Sequence, residues 1–244
     1  MPEFESAPAV DEIRAPGFSG APNKMLLSPG ERDPWQEIST PVAYDHSGFE
    51  IFAEGEDAHF VYAIDEGAVR ILRYADNGQR QILAFMMPGD LFGLPDNGTY
   101  ANTAETISAV RLYRLPWHNL IQRMMDDPQL QLNLLVRVAD DLHRAQRRIM
   151  MLGQQSTSQR LATLLLEFAG HPEFYNDRDG HLHLPITRVD VADYLGIARE
   201  TAARAITRFE RERLLRRIDP KTIQILDIAG LRDAELVRPK RGNQ

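Results

Sequence analysis

Cysteine is missing from all 244 residues. Its absence excludes disulfides, thiolate zinc sites, cysteine-ligated iron–sulfur clusters and thiol switching within this chain. Long apolar runs are missing too, and no stretch approaches the ~20 residues that a membrane-spanning helix needs. The opening MPEFESAPAVDEIRAPGFSGAPNK lacks the basic start and apolar stretch of a secretory signal. These absences point to a soluble cytoplasmic chain with no membrane partner. Bases are scarce at the start, where only Arg14, Lys24 and Arg32 stand against many acids in the first 67 residues.

The formal net charge of -7 argues against nucleic acid only weakly, because the charge is polarised. Between Thr187 and Arg217, Arg188, Arg199, Arg204, Arg208, Arg211, Arg213, Arg216 and Arg217 outnumber the acids Asp190, Asp193, Glu200, Glu210 and Glu212. The Pro, Ala, Gly and Ser of residues 1–30 predict a disordered tail. From about Pro41 to Leu115, short apolar runs are punctuated by Glu66-Gly67, Asn77-Gly78 and Pro88-Gly89. Many short strands with turn glycines predict a sandwich or jelly-roll barrel, with a hairpin at Asn77-Gly78 where both residues tolerate positive φ.

The period then changes. PWHNLIQRMMDD predicts a short helix with Pro116 in its first turn. Pro128 opens a longer helix in which Leu135, Val138, Leu142, Ala145, Ile149 and Leu152 recur at 3-4-3-4-3 spacing. That stripe is either a homodimer seam or the face of a helix lying on its own β domain; its narrowness and flanking Arg and Asp favour the seam. A further amphipathic helix, TSQRLATLLLEFAGH, takes Ser156 or Thr157 as its cap. PEFYNDRDG reads as a loop and HLHLPI as a strand. His181 and His183 share a face of that strand, but no third ligand is near, so solvated histidines are expected rather than a metal site.

RVDVADYLGIARETAARAITRFERERLL contains two helical patterns separated by Gly196. Val189, Val191, Ala192 and Leu195 supply the apolar face of the first, and Ala202, Ala205, Ile206 and Phe209 that of the second. The small residues Ala192, Ala198, Ala202 and Ala203 permit close approach. A short Gly-containing turn between helices makes a helix-turn-helix, and LLRRIDPKTIQILDI adds a β wing around Asp219-Pro220. A structural helical hairpin would share the Ala/Gly pattern; the arginine-rich face and the wing favour DNA. Arg199, Glu200 and Arg204 fall on the start of the second helix, which in such motifs enters the major groove. An arginine fork matches guanine O6/N7, and a carboxylate accepts from cytosine N4. Glu200 is equally a helix-dipole acid or a residue that orients Arg204. Arg188, Thr201, Thr207 and Arg208 are the expected phosphate contacts.

On these residues the chain resembles the CRP/FNR superfamily of bacterial transcription regulators, and most closely its FixK-like branch. The resemblance spans roughly residues 30 to 230 and is most specific in LPITRVDVADYLGIARETAARAITRFE. It implies an α+β protein with a cyclic-nucleotide-binding-like jelly-roll barrel at 31–127, a dimerisation helix at 128–154 and a winged helix-turn-helix domain at 155–236, before a tail at 237–244. It also implies homodimers that bind palindromic promoter sites and usually activate RNA polymerase, in this branch for low-oxygen metabolism. The family's base-reading pattern falls on Arg199, Glu200 and Arg204, with half-sites resembling TTGAT or TGTGA.

Cyclic-nucleotide binders of the family carry a Gly-Glu-Leu…Arg-Ser/Thr-Ala cassette whose Arg pairs with the phosphate. The matching span here, GDLFGLPDNGTYANTAETISAV, contains no Arg or Lys, and Asp90, Asp96 and Glu105 are expected to repel an anion. The expectation is a regulator with no cofactor, controlled by its abundance. The alternative is an effector-dependent regulator whose barrel binds a small molecule or haem, for which His46, His59, His118 and His143 carry no specific motif. A cupin-like enzyme would need clustered His and Glu ligands, and the barrel offers only His46 and His59, so no catalytic role is expected.

Overall fold

The computed structural model describes residues 38–236; the tails expected at 1–30 and 237–244 lie outside the described residues. Eight strands come first: β1 (Thr40–Tyr44), β2 (Glu50–Phe52), β3 (Phe60–Glu66), β4 (Val69–Tyr74), β5 (Arg80–Met86), β6 (Leu91–Phe92), β7 (Thr103–Thr106) and β8 (Val110–Pro116). They form two four-stranded antiparallel sheets, ordered β1-β8-β3-β6 and β2-β7-β4-β5. Strands adjacent in sequence repeatedly cross between sheets, so each sheet turns one apolar face inward. Phe52, Tyr62, Ile64, Val69, Phe92 and Leu112 fill the space between them. The hairpin at Asn77-Gly78 forms, but only Gly78 takes positive φ (75°). Gly78 N–H donates to Ala75 O at 2.7 Å and Ala75 N–H to Gln79 O at 2.9 Å, so a wider loop replaces the two-residue turn.

Helix α1 (Trp117–Asp126) follows β8 directly, and Pro116 stands at its N-cap rather than within its first turn. Helix α2 (Pro128–Gln154) starts where Asp127 accepts a hydrogen bond from Leu130 N and Pro128 occupies the first turn. Its 27 residues span about 40 Å. One side packs on its own chain: Leu130 and Leu134 meet Val61, Leu115 and Leu120. On the same side Arg137, 4% exposed, pairs with Asp90 and donates from Nη1 to Gly89 O at 3.1 Å. Arg144 reaches the same carboxylate at 3.1 Å. Removing one partner of a buried ion pair strands the other charge. Arg137→Ala is therefore expected to lower unfolding free energy by about 3 kcal/mol in urea titration, well beyond a surface substitution.

The C-terminal part contains α3 (Thr157–Ala169), β9 (Tyr175–Asn176), β10 (His181–His183), α4 (Arg188–Leu195), α5 (Arg199–Arg211), β11 (Leu215–Arg217), β12 (Thr222–Ile225) and α6 (Ile228–Leu236). Ser156, not Thr157, caps α3, in a capping box with Gln159. Two features go beyond the sequence expectation. Tyr175–Asn176, read as loop, is a short strand pairing with β10, so the wing belongs to a sheet ordered β11-β12-β10-β9. Helix α6 packs on α3, where Thr163 Oγ1 lies 3.1 Å from Glu235 Oε1. A third apolar cluster runs from Leu72, Ile82 and Phe85 of the sandwich to Phe168, Tyr194 and Phe209 of the C-terminal part. Phe85 lies 5.5 Å from Phe168 and 4.9 Å from Tyr194 between ring centroids, so the two parts share one core.

Candidate nucleic-acid interface

Helix α4 begins with a second capping box: the Thr187 side chain accepts from Asp190 N, and Asp190 accepts from Thr187 N. It ends at Gly196, whose φ of 64° gives the left-handed turn that a β-carbon would strain. Three residues later α5 starts at Arg199. Val191, Ala192 and Leu195 of α4 are buried, with Val189 partly so. On α5, Ala202, Ala205 and Phe209 are buried and Ile206 is half-buried, as the spacing requires. Of the four small residues expected to ease helix contact, only Ala192 and Ala202 are buried; Ala198 is exposed at the α5 N-cap and Ala203 is half-buried. Ala198 supplies no side-chain cap, which leaves the first N–H groups of α5 available to other acceptors.

With its inner face anchored, α5 turns Arg199, Glu200 and Arg204 outward, all three exposed. Arg199 and Glu200 make no ion pair among the described residues, and Arg204 Nη2 donates only to Thr201 Oγ1, one turn earlier, at 3.1 Å. The four expected phosphate contacts divide. Arg188 is exposed at the first position of α4, and Arg208 is exposed but bound to Glu212 at 2.7 Å along the helix. Thr201 and Thr207 are half-buried.

Pairing sharpens the polarised charge. Arg217 of the wing forks onto Glu210 at 2.7 and 2.5 Å, tying β11 to the end of α5. Those hydrogen bonds hold the Glu210 carboxyl below the usual carboxylate range. Arg216 donates to Gln224 at 2.6 Å, and Asp219 Oδ1 closes the wing turn by accepting from the N–H groups of Lys221 and Thr222 at 2.7 and 2.8 Å. Arg208, Arg216 and Arg217 are thus partnered, whereas Arg188, Arg199, Arg204, Arg211 and Arg213 make no ion pair among the described residues. No periodicity could have told these two sets apart.

The apolar stripe of α2 faces away from its own chain. Leu135 is 65% exposed and Ile149 71%, and Val138, Leu142 and Ala145 are exposed with them. Leu152, at the end of the stripe, lies beside the Gly196 turn. The stripe therefore does not lie on its own sandwich: Leu130, Leu134, Arg137 and Met151 pack inward from the opposite side of the helix.

In the sandwich, the acids expected to repel an anion are mostly neutralised. Asp90 is held by Arg137 and Arg144, and Glu105 by Arg70 at 2.8 Å, so charge repulsion there is weaker than expected. Aromatic rings occupy the interior instead: Phe52 stacks on Tyr100 at 3.7 Å and Tyr62 on Phe92 at 5.4 Å between centroids. His181 pairs with Asp179 at 3.2 Å, and among the described residues no three His, Asp or Glu side chains gather to hold a metal. No helix among them is long and apolar enough to cross a membrane.

The Crp-like helix-turn-helix domain family matches residues 159–234, and the cyclic nucleotide-binding domain family matches residues 46–127. The nitrogen fixation regulation protein FixK of Azorhizobium caulinodans is 32% identical over 196 residues, covering 80% of this chain and 79% of that protein. The transcriptional activator protein FnrA of Stutzerimonas stutzeri is 29% identical over 75% of this chain and 76% of its own length. The solved structure of FixK2 from Bradyrhizobium japonicum superposes with a TM-score of 0.75 at 29% identity, over 83% of this chain and all of that one. A sandwich, a long helix and a winged helix-turn-helix in that order, with these relatives, place the chain in the CRP/FNR family of transcription regulators, on its FixK-like branch.

Proposed function

We propose that the protein is a sequence-specific transcriptional activator that binds a palindromic promoter site as a homodimer. The observation that carries this reading is the outward face of α5, where Arg199, Glu200 and Arg204 stand exposed on a helix anchored by Ala202, Ala205 and Phe209. Arg199 and Arg204 would read guanine edges and Glu200 a cytosine amine, while Arg188, Thr201, Thr207 and Arg208 hold phosphates. The stripe from Leu135 to Leu152 would pair two copies of α2, making 128–154 the dimerisation helix between a sandwich domain at 31–127 and a DNA-binding domain at 155–236. A role in low-oxygen metabolism, with RNA polymerase as the further partner, is what the resemblance to the FixK-like branch implies.

We also propose that no cyclic nucleotide is needed. The cassette lacks an arginine for the phosphate, and stacked aromatic rings occupy the sandwich interior. Selection from a random duplex pool tests both statements. Purified protein is expected to enrich one two-fold palindrome, identically with and without cyclic AMP. A site that appears only with the nucleotide would sink ligand independence. No enriched site under either condition would sink the DNA-reading proposal itself.

A further inference from the structure

Helix α4 is gripped at both ends by side chains from outside the helix-turn-helix. At its start, Asp190 is 1% exposed and fully engaged. Oδ2 accepts from the N–H and hydroxyl of Thr187 at 2.9 and 2.7 Å. Oδ1 accepts from Arg70 Nη1 at 3.0 Å and Arg80 Nη2 at 2.7 Å, from β4 and β5 of the sandwich. Arg80 Nε also donates to Asp193 Oδ2, one turn along, at 2.8 Å.

At its end the backbone is held as well. The carbonyls of Asp193, Tyr194 and Leu195 accept from Gln81 Nε2 at 2.7 Å, from Arg148 Nη2, and from Arg160 Nη1 at 2.9 Å. Such terminal carbonyls have no partner within the helix, and cations are favoured beside them. The Arg148 guanidinium also lies 3.5 Å from the centre of the Tyr194 ring. Sandwich, long helix and α3 therefore all bear on one short helix. Because α5 follows α4 after a three-residue turn, the pose of α4 dictates the pose of α5. The grip leaves the outward face open: Arg199 lines an open cleft of about 680 Å³ with Arg70, Gln79 and Arg80, yet remains exposed.

We infer that Arg70 and Arg80 are positioning residues for DNA reading: by gripping Asp190 and Asp193 they lock the helix-turn-helix to the sandwich with α5 facing outward. This rests on the proposed DNA-reading function. Two reading heads must meet half-sites spaced one helical turn, about 34 Å, apart. If α5 samples several poses, only the competent fraction binds, and apparent affinity falls in proportion. Contacts within a single half-site are untouched, so the loss belongs to the palindrome alone.

The test compares full-length wild type with Arg80→Gln, Asp193→Asn, their double variant and Arg80→Lys, on the selected palindrome, on palindromes whose half-sites are one or two base pairs further apart, and on random duplex. Each single variant is expected to lose roughly tenfold on the palindrome, with spacing preference broadened and random-duplex affinity unchanged. The double variant should lose no more than Arg80→Gln alone, and Arg80→Lys should recover most of the loss. Thermal unfolding of each variant identifies any that is simply unfolded, and Asp193→Asn, which keeps the side-chain shape at a partly exposed position, retains the test if Arg80→Gln is. Wild-type affinity and spacing preference in folded variants would overturn the proposal, as would tighter binding, which would make the grip a restraint. Failure of the wild type to bind any palindrome would instead remove the function on which the proposal rests.

Discussion

Arg204→Ala is expected to lower affinity for the selected palindrome by about thirtyfold or more while leaving affinity for random duplex within a few-fold. A bidentate arginine–guanine pair discriminates by about 1–3 kcal/mol, and a two-fold dimer loses it twice. Phosphate contacts, which supply most of the non-specific binding, are untouched. Arg204 is exposed and bonds only to Thr201 Oγ1, so the truncation should change stability by less than about 0.5 kcal/mol. Arg208→Ala is the internal control. As a phosphate contact it should weaken both duplexes about equally and make the salt dependence shallower. Equal losses on both duplexes for Arg204→Ala would contradict base reading and reduce the α5 face to an electrostatic patch.

Leu142→Asp is expected to convert the proposed dimer to monomers at micromolar concentration. Leu142 lies near the middle of the α2 stripe and is 58% exposed in the single chain, so the change should cost the fold of one copy little. In a paired seam it would remove a buried leucine from each copy, worth about 1.5–3 kcal/mol apiece, and leave two carboxylates facing each other in a dry interface. The dimer dissociation constant should rise at least a thousandfold, read by sedimentation equilibrium. Affinity for the palindrome should collapse toward that for a single half-site, because the second head is no longer held at high effective concentration. A dimer of wild-type strength would mean that the stripe pairs with something other than α2 of a second copy. The two predictions separate cleanly, since Arg204→Ala should leave the dimer intact.

Much of the architecture is local in origin and legible in the chain. The 3-4-3-4-3 stripe, the glycine between two apolar periods and the Asp219-Pro220 turn each depend on residues a few positions apart. Each survives as α2, the α4–α5 pair and the wing. The base-reading candidates are legible for the same reason: once Ala202, Ala205 and Phe209 face inward, the helical repeat turns Glu200 and Arg204 outward. Short elements were harder. Tyr175–Asn176 is a strand only because β10 pairs with it, and a two-residue strand carries no period of its own. Asp90 and Glu105 repel an anion less than their sequence surroundings imply, because their arginine partners lie elsewhere in the chain.

By itself the sequence determined five of the six helices, which face of each is apolar, where the chain turns between them and that these residues support no thiol chemistry. Those follow from side-chain type and from periods of two and 3.6 residues, acting over a dozen positions at most. Tertiary structure alone decided which arginines are spent and which remain free. Arg70 and Arg80 meet Asp190 across 120 and 110 residues, and Arg217 is neutralised by Glu210 while Arg199 is left to solvent. Charge acts through space, falling off with distance and burial rather than with separation along the chain. Its partners are therefore settled only when sheet register and helix packing bring them within reach.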